Sequence, residues 1–546
     1  MGADLQSILF QAMADPDFYP HPVKDLSQQE THISKVFLTG QYVYKIKKPV
    51  DLGFVDFSSL ERRHYYCEQE VSLNKRLTDD IYLGVVPIGY DGRQFDMDGS
   101  TDAVEYAVQM RQLPAAFTMH NLVAAGRLFP DDLNRLAARL AGFHKSARHV
   151  LDANGRSYAQ AACTENFRQI MPHSGKLLDA DRYDYIRAAT FNFFIRNKGL
   201  FEKRIADGYF RDGHGDLRTE HVYFTPDGCI QVLDCIEFNE HLRVVDTASD
   251  LAFLIMDLEF QRQTQTARDL LQTYYQLCDD PGLLGLMDFF KCYRAMVRCK
   301  VNCIQLISHD LSNQRQNTLA AEAQCYLNLA HYYARRFGRP TLWVFCGLPG
   351  SGKSTIATRL ADILSIDRYN SDKIRKALHG LGPLAHTDLS VDEGIYAAEI
   401  SANVYDQLYA MARKAICEGC SLVLDATYSA ASNRGKLKAL ADDCGVRILF
   451  VECRTRQDEL ERRLARRAVT PSISDARLVH FEILKSRFEP LTEIPPAQHV
   501  TLDTTKSQGR CLKDLLIAAY IDQTEQWCEA QPRRRPMAKR IEEPIM

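Results

Sequence analysis

The chain has 546 residues, of which 46% are hydrophobic and 25% charged, with a formal net charge of −3. That length exceeds one ordinary domain, so two or three cores are expected, and the composition is that of a soluble globular protein. The near-neutral charge demands neither nucleic acid nor an anionic membrane as a partner. Met1-Gly-Ala-Asp-Leu-Gln6 has neither a basic nor an apolar signal region, and no apolar run reaches membrane-spanning length. Sixteen cysteines scattered through apparent helices and strands point to reduced thiols and a cytoplasmic protein. Cys417-x-x-Cys420 stands alone, without a second pair or a histidine set, and reads as packing rather than zinc or redox chemistry.

Residues 1–30 read as helix and loop, broken at Asp15-Pro-Asp and Tyr19-Pro-His-Pro22. Ile33-Ser-Lys-Val-Phe-Leu38 and Tyr42-Val-Tyr-Lys-Ile46, joined by Thr39-Gly-Gln41, predict a β-hairpin. A helix is expected over 60–77, with strands around 82–88 and 103–109. The pattern then turns helical, with a segment over 132–145 for which Asp132 is the expected N-cap, and further helices through 160–205. His214-Gly-Asp-Leu-Arg-Thr-Glu-His-Val-Tyr-Phe224 follows, then a Pro226-Asp-Gly228 turn and Cys229-Ile-Gln-Val-Leu-Asp234. Residues 265–335 read as helices carrying Cys292, Cys299, Cys303 and Cys325 at core spacings.

The H-G-D-L segment, its hairpin and the Asp234 strand end resemble the core of aminoglycoside-phosphotransferase-like kinases, a group that includes choline and fructosamine kinases and is similar in fold to protein kinases. Asp250-Leu-Ala252 resembles another recurring element of that group. The resemblance covers roughly residues 30–335 and implies an α+β fold with phosphoryl-transfer chemistry. By resemblance Asp216 is the base, Asp234 a Mg²⁺ ligand, Lys45 the phosphate-contacting lysine and Glu70 its helix partner. Lys47 shares the face of Lys45, because strand side chains alternate, and remains an alternative. Arg218 stands where protein kinases carry a phosphate-contacting lysine. The sequence departs from the family at His221, where a second metal ligand, an Asn, is expected, and no glycine-rich phosphate loop lies between Ile33 and Gly40. A regulatory, inactive kinase fold is therefore a competing expectation.

Arg335-Arg-Phe-Gly-Arg-Pro340 is a basic break, and a domain boundary is expected there, dividing 1–335 from 340–530. Immediately after comes an apolar strand pattern, Leu342-Trp-Val-Phe-Cys346, then Gly347, Leu348, Pro349, Gly350, Ser351, Gly352, Lys353, Ser354 and Thr355, then a helical pattern. This satisfies every fixed position of G-x-x-x-x-G-K-[ST] in the strand–loop–helix context that the motif requires. Glycines let backbone N–H groups turn around phosphate oxygens, Lys353 would reach the β- and γ-phosphates of ATP, and Ser354 would ligate Mg²⁺. Strands and helices then alternate to about residue 503, predicting an α/β domain whose parallel sheet carries helices on both faces.

This part resembles small P-loop kinases in the neighbourhood of polynucleotide kinase, gluconate kinase, chloramphenicol phosphotransferase and zeta-toxin domains. The resemblance rests on the P-loop, Ser371-Asp-Lys-Ile-Arg375, Leu424-Asp-Ala-Thr427 and Arg462-Arg-Leu-Ala-Arg-Arg467. It implies Asp372 as general base, Arg375 as substrate clamp, Asp425 as a Mg²⁺ auxiliary, and Arg463, Arg466 and Arg467 as a charge-neutralising lid. The bland alternatives are that Asp372 only caps its helix and that the arginines form a solvated face. An AAA-type mechanoenzyme is not expected, because the roughly 190 residues from 340 to 530 leave no room for its small helical domain. The reading is thus an ATP- and Mg²⁺-dependent double kinase with a small-molecule hydroxyl acceptor. A single P-loop kinase regulated by its N-terminal half, or one acting on nucleic-acid 5′ ends, are the alternatives. Residues 531–546 are expected to form a disordered basic tail.

Overall fold

The computed structural model describes residues 3–521, apart from 54, 98, 151–154, 308–310, 383, 386–392, 468–473 and 475–476. The expected basic tail therefore lies outside the described residues. The chain forms two compact units, one of Met1–Ala162 with Arg204–Cys278, the other of Cys163–Lys203 with Asp279–Glu529.

The first unit opens on a six-stranded antiparallel sheet in the spatial order Ser27–Glu30, Ser34–Leu38, Tyr42–Lys47, Ala103–Arg111, Tyr82–Tyr90 and Phe95–Asp96. Alternation along its strands sorts the side chains into two cores. Val36, Leu38, Val43, Val108 and Met110 meet Cys67 and Val71 of the helix Leu60–Asn74. Phe37, Tyr44, Ile46 and Ala107 meet Leu9 and Met13 on the opposite face. Ser59 caps the helix Leu60–Asn74, its side chain accepting from the Arg62 N–H, which satisfies one orphan donor of the first turn. The strand Ser27–Glu30 lies where only helix and loop were expected: its residues carry no apolar alternation, and pairing with Ser34–Leu38 alone makes it a strand.

A second expectation is corrected at the helix Pro130–Ser146. Its N-cap is Phe129, and Asp132 sits at the third helical position, accepting from the Phe129 N–H at 2.9 Å. Pro130, with its preset φ and missing donor, suits the first helical position better than any later one. The helix Thr247–Phe260 is buried along nearly its whole length, with the hairpin Val222–Phe224/Ile230–Val232 elsewhere in the unit.

The second unit holds a five-stranded parallel sheet in the order Asp367–Asn370, Leu422–Asp425, Thr341–Cys346, Arg447–Arg454, His499–Asp503. Leu342, Val344 and Cys346 face the helices Ala398–Cys417 and Ala431–Asp443 through Val404, Leu408, Ala412, Leu437 and Leu440. Trp343 turns the other way, 6.3 Å from the Tyr520 ring of the helix Gln508–Tyr520. Helices thus cover both faces, which is why the central strand reads as an unbroken apolar run.

The break at 335–340 is where the helix Asn313–Phe337 ends and the strand Thr341–Cys346 begins. By packing, however, the helices Leu283–Gln305 and Asn313–Phe337 go with the parallel sheet. Arg336 ties Asp288 (2.7 Å) to the Tyr520 carbonyl (3.4 Å), and Gly285 lies so close to Leu364 that an added Cβ would meet it at 2.9 Å. Among the described residues, no helix is long and apolar enough to cross a membrane.

Candidate active sites

The P-loop connects the strand Thr341–Cys346 to the helix Lys353–Leu364. Gly347 has φ +133°, and a Cβ there would stand 2.6 Å from the Cys453 carbonyl oxygen. Gly352 has φ +85°, packed against Thr504 and Arg463. Both positions therefore exclude a side chain, by left-handed backbone and by close approach. The buried Ser351 hydroxyl finds no protein partner among the described residues. Lys353 Nζ donates to the Leu348 carbonyl at 3.4 Å.

Ser354, in the first turn of the helix Lys353–Leu364, donates at 3.1 Å to Oδ1 of Asp425, which ends the strand Leu422–Asp425. Asp425 is fully buried, and its other oxygen accepts from Arg368 Nη1 (2.6 Å) and Asn370 Nδ2 (2.8 Å). Arg368 and Asn370 were not foreseen. They are two apart on one strand and so share a face, but nothing local identifies Asp425 as their partner.

Asn370 takes the capping position that was the bland alternative for Asp372. It is Asn370 that caps the helix Ser371–Leu378, its side chain accepting from the Lys373 N–H at 3.0 Å, so Asp372 has no capping duty. Burial pushes the Asp372 carboxyl above the usual carboxylate range, against the opposing pull of Arg375 and Lys353 and a hydrogen bond with Ser474. Arg375 is buried, donates from Nη1 to the Ile395 carbonyl (2.9 Å) and Ser401 Oγ (3.0 Å), and lies over the Tyr396 ring. Arg463 stitches the helix Gln457–Arg467 to the loop through Gly350 and Thr504. Arg466 is exposed, and the side chain of Arg467 lies outside the described residues.

In the first unit, Lys45 and Lys47 both point at the helix Leu60–Asn74. Lys45 Nζ lies 2.9 Å from Glu70 Oε1 and 2.8 Å from Asp234 Oδ1. Lys47, wholly buried, pairs with Glu70 Oε2 at 2.7 Å and with Glu237. Of the two lysines, only Lys45 has an ion pair with Asp234. Asp234 takes a left-handed φ of +63°, and the Tyr82 hydroxyl accepts from its N–H at 3.3 Å. Burial alone would raise the Asp234 pKa, but the Lys45 ammonium beside it holds it well below the usual carboxylate range.

Asp216 accepts from Arg218 Nε at 3.0 Å, and Arg218 also pairs with Glu220 at 2.6 Å. His221 lies beside both carboxylates, and one ligand atom each from Asp216, His221 and Asp234 falls within 4.8 Å of the others. The loop that carries Asp216 is anchored by Asp250, which accepts from the N–H groups of His214 (2.7 Å) and Gly215 (2.9 Å) and contacts His144 Nε2 at 3.1 Å. Glu237, Tyr82 and His144 carried no recognisable sequence signal.

His214 supplies a pH prediction. Burial pushes its imidazole from 6.5 down to about 4, so the unfolded chain binds this proton more readily than the folded one. Its contribution is complete above pH 6.5 and is lost as pH falls toward 4, a loss of about 3 kcal/mol at full titration. Urea unfolding of the intact chain should show this slope between pH 6.5 and 4, and His214→Gln should flatten it. Asp234 and Asp250, both depressed below the usual carboxylate range, lose their contributions only at still lower pH.

The fold and the two clusters define a class: an α+β unit with an antiparallel sheet and a lysine–carboxylate–histidine cluster, joined in one chain to an α/β unit whose parallel sheet carries a P-loop. Residues 342–491 match a family model described as an AAA domain. It bears the name of the class not expected from the sequence, but the match covers the P-loop and its strand and assigns no mechanical role. Over 454 residues the chain is 31% identical to uncharacterized protein Rv2004c of Mycobacterium tuberculosis and to uncharacterized protein Mb2027c of Mycobacterium bovis, covering 82% of this chain and 88% of each relative. The chain belongs to the family of these mycobacterial proteins. Among solved structures it is similar to a gluconokinase from Sinorhizobium meliloti 1021 (16% identity, 35% of this chain, 98% of that one, TM-score 0.25). It is also similar to a choline/ethanolamine kinase family protein from Mesorhizobium loti (13% identity, 61% and 99%, TM-score 0.35).

Proposed function

We propose that the chain is an ATP-dependent phosphotransferase acting on a hydroxyl of a small molecule, with its main reaction centre at the P-loop. The observation that carries this is the geometry of the P-loop, with Gly347 and Gly352 in conformations that favour glycine and Ser354 donating to the buried Asp425 at 3.1 Å; near it stands Asp372, whose carboxyl is raised by burial. A carboxyl so poised accepts a proton more readily than an exposed one, as a general base must. The loop N–H groups and Lys353 would hold the phosphates, and Asp372 would take the acceptor's hydroxyl proton. As the acceptor oxygen bonds to the γ-phosphorus, the bond to the β-phosphate oxygen breaks and ADP leaves. Arg463 would keep its helix over the phosphates. The oxygen donors of Ser354 and Asp425 suit Mg²⁺, which would neutralise charge on the β- and γ-oxygens.

A screen of hydroxyl compounds with γ-labelled ATP tests this. Asp372→Asn is expected to lower transfer to any acceptor found by about 10²- to 10⁴-fold, with ATP affinity little changed. The acid limb of the wild-type rate profile should lie above the ordinary carboxylate range and vanish in the variant. Transfer that survives Asp372→Asn would overturn the assignment.

The first unit supports a second phosphoryl-transfer centre at Asp216, Asp234 and Lys45. A regulatory binding role is the competing reading, favoured by the Arg218 guanidinium seated on Asp216. Asp216→Asn separates them: loss of a distinct transfer activity supports catalysis, whereas unchanged transfer supports regulation.

A further inference from the structure

The donor set at Asp216, His221 and Asp234 does not match Mg²⁺, a hard ion that takes oxygen ligands in octahedral geometry. His221 is 1% exposed, and its Nδ1 faces the Asp216 backbone oxygen at 2.8 Å. A carbonyl can only accept, so Nδ1 carries the proton and Nε2 keeps its lone pair. Arg218 Nη2, which can only donate, lies 3.1 Å from Nε2 and agrees with that tautomer. His221 Nε2 lies 3.6 Å from Asp234 Oδ2, and one ligand atom each from Asp216, His221 and Asp234 falls within 4.8 Å of the others.

An imidazole beside two carboxylates is a donor set that first-row transition-metal divalent ions and Zn²⁺ accept more readily than Mg²⁺ does. Arg218 can release its Nη2 contact to admit one while keeping its Nε bond to Asp216 and its Nη1 bond to Glu220.

We propose that the Asp216–His221–Asp234 cluster binds an imidazole-accepting divalent cation of the Mn²⁺, Co²⁺ and Zn²⁺ class, through His221 Nε2, in preference to Mg²⁺. The inference rests on reading this cluster as the metal site of a phosphoryl-transfer centre. Metal binding is therefore measured without nucleotide, and ATP binding separately, so that either can fail alone.

The probe is Mn²⁺ alone, added below one equivalent to the intact chain and followed by electron spin resonance. The expected result is nitrogen modulation of the spin echo from a coordinated imidazole, with Mg²⁺ displacing the ion only at about tenfold or greater excess over Mn²⁺. His221→Asn should abolish the nitrogen modulation and narrow the Mn²⁺/Mg²⁺ ratio, because it exchanges the imidazole for an amide oxygen. Asp234→Ala should remove the bound ion. Nitrogen modulation unchanged in His221→Asn would overturn the proposal, as would equal competition by Mg²⁺ in the wild type. The competition is read on the unsubstituted chain and so decides the matter even where a variant does not fold.

Discussion

Lys353→Ala should reduce ATP binding from two molecules per chain to one, and lower phosphoryl transfer at the P-loop centre by on the order of 10²- to 10³-fold, the usual cost of one preorganised cationic or hydrogen-bond donor. The fold should survive. Lys353 lies at the start of its helix and makes a long 3.4 Å contact with the Leu348 carbonyl. The loop's conformation instead depends on Gly347, Gly352 and the Thr504 hydroxyl, which donates to the Ser351 carbonyl at 2.6 Å. Calorimetry with ATP and Mg²⁺ on both proteins checks the stoichiometry without knowledge of the acceptor. One site falling to none would remove the first unit from the nucleotide-binding account, and two sites persisting in the variant would contradict the role given to Lys353.

The second large effect separates two lysines that the sequence could not tell apart. Lys47→Ala leaves Glu70 and Glu237 together in a buried site, with Lys45 as the remaining counter-charge among the described residues. Breaking a buried ion network by removing one partner costs about 3–5 kcal/mol, and urea unfolding should show a loss of that size. Burial already raises the Glu237 carboxyl, and without Lys47 it should take up a proton instead of remaining charged. The double variant Lys47→Met/Glu237→Gln, which removes both charges at similar volume, should recover most of the stability. Lys45→Ala should behave differently. Its side chain is 11% exposed and pairs with Asp234 at 2.8 Å, so ATP binding by the first unit should suffer more than stability. A loss below about 1 kcal/mol in Lys47→Ala, the range of a surface pair, would refute the structural role given to that lysine.

Much of this molecule is written in short stretches. The P-loop is legible because its glycines, lysine and serine are contiguous, and because one strand and one helix supply its whole context. The strand–helix alternation after residue 340 specified a parallel sheet for a similar reason: each element buries apolar residues at its own period. The His214-Gly-Asp-Leu217 segment and the Asp234 strand end were visible as pieces, and their chemistry followed from resemblance.

What remained hidden depends on contacts between residues distant in sequence. Lys45 and Lys47 share one face of one strand, and only the packing of Asp234, 189 residues away, and of Glu237, 190 away, assigns them different partners. Arg368 meets Asp425 across 57 residues, a pairing made by neighbouring parallel strands. The helices Leu283–Gln305 and Asn313–Phe337 precede the boundary motif yet pack with the sheet that follows it. Local spacing encodes which face of an element is apolar and where a turn must fall. It carries no information about which distant face or charge will meet it, because that is settled only when whole surfaces are buried together.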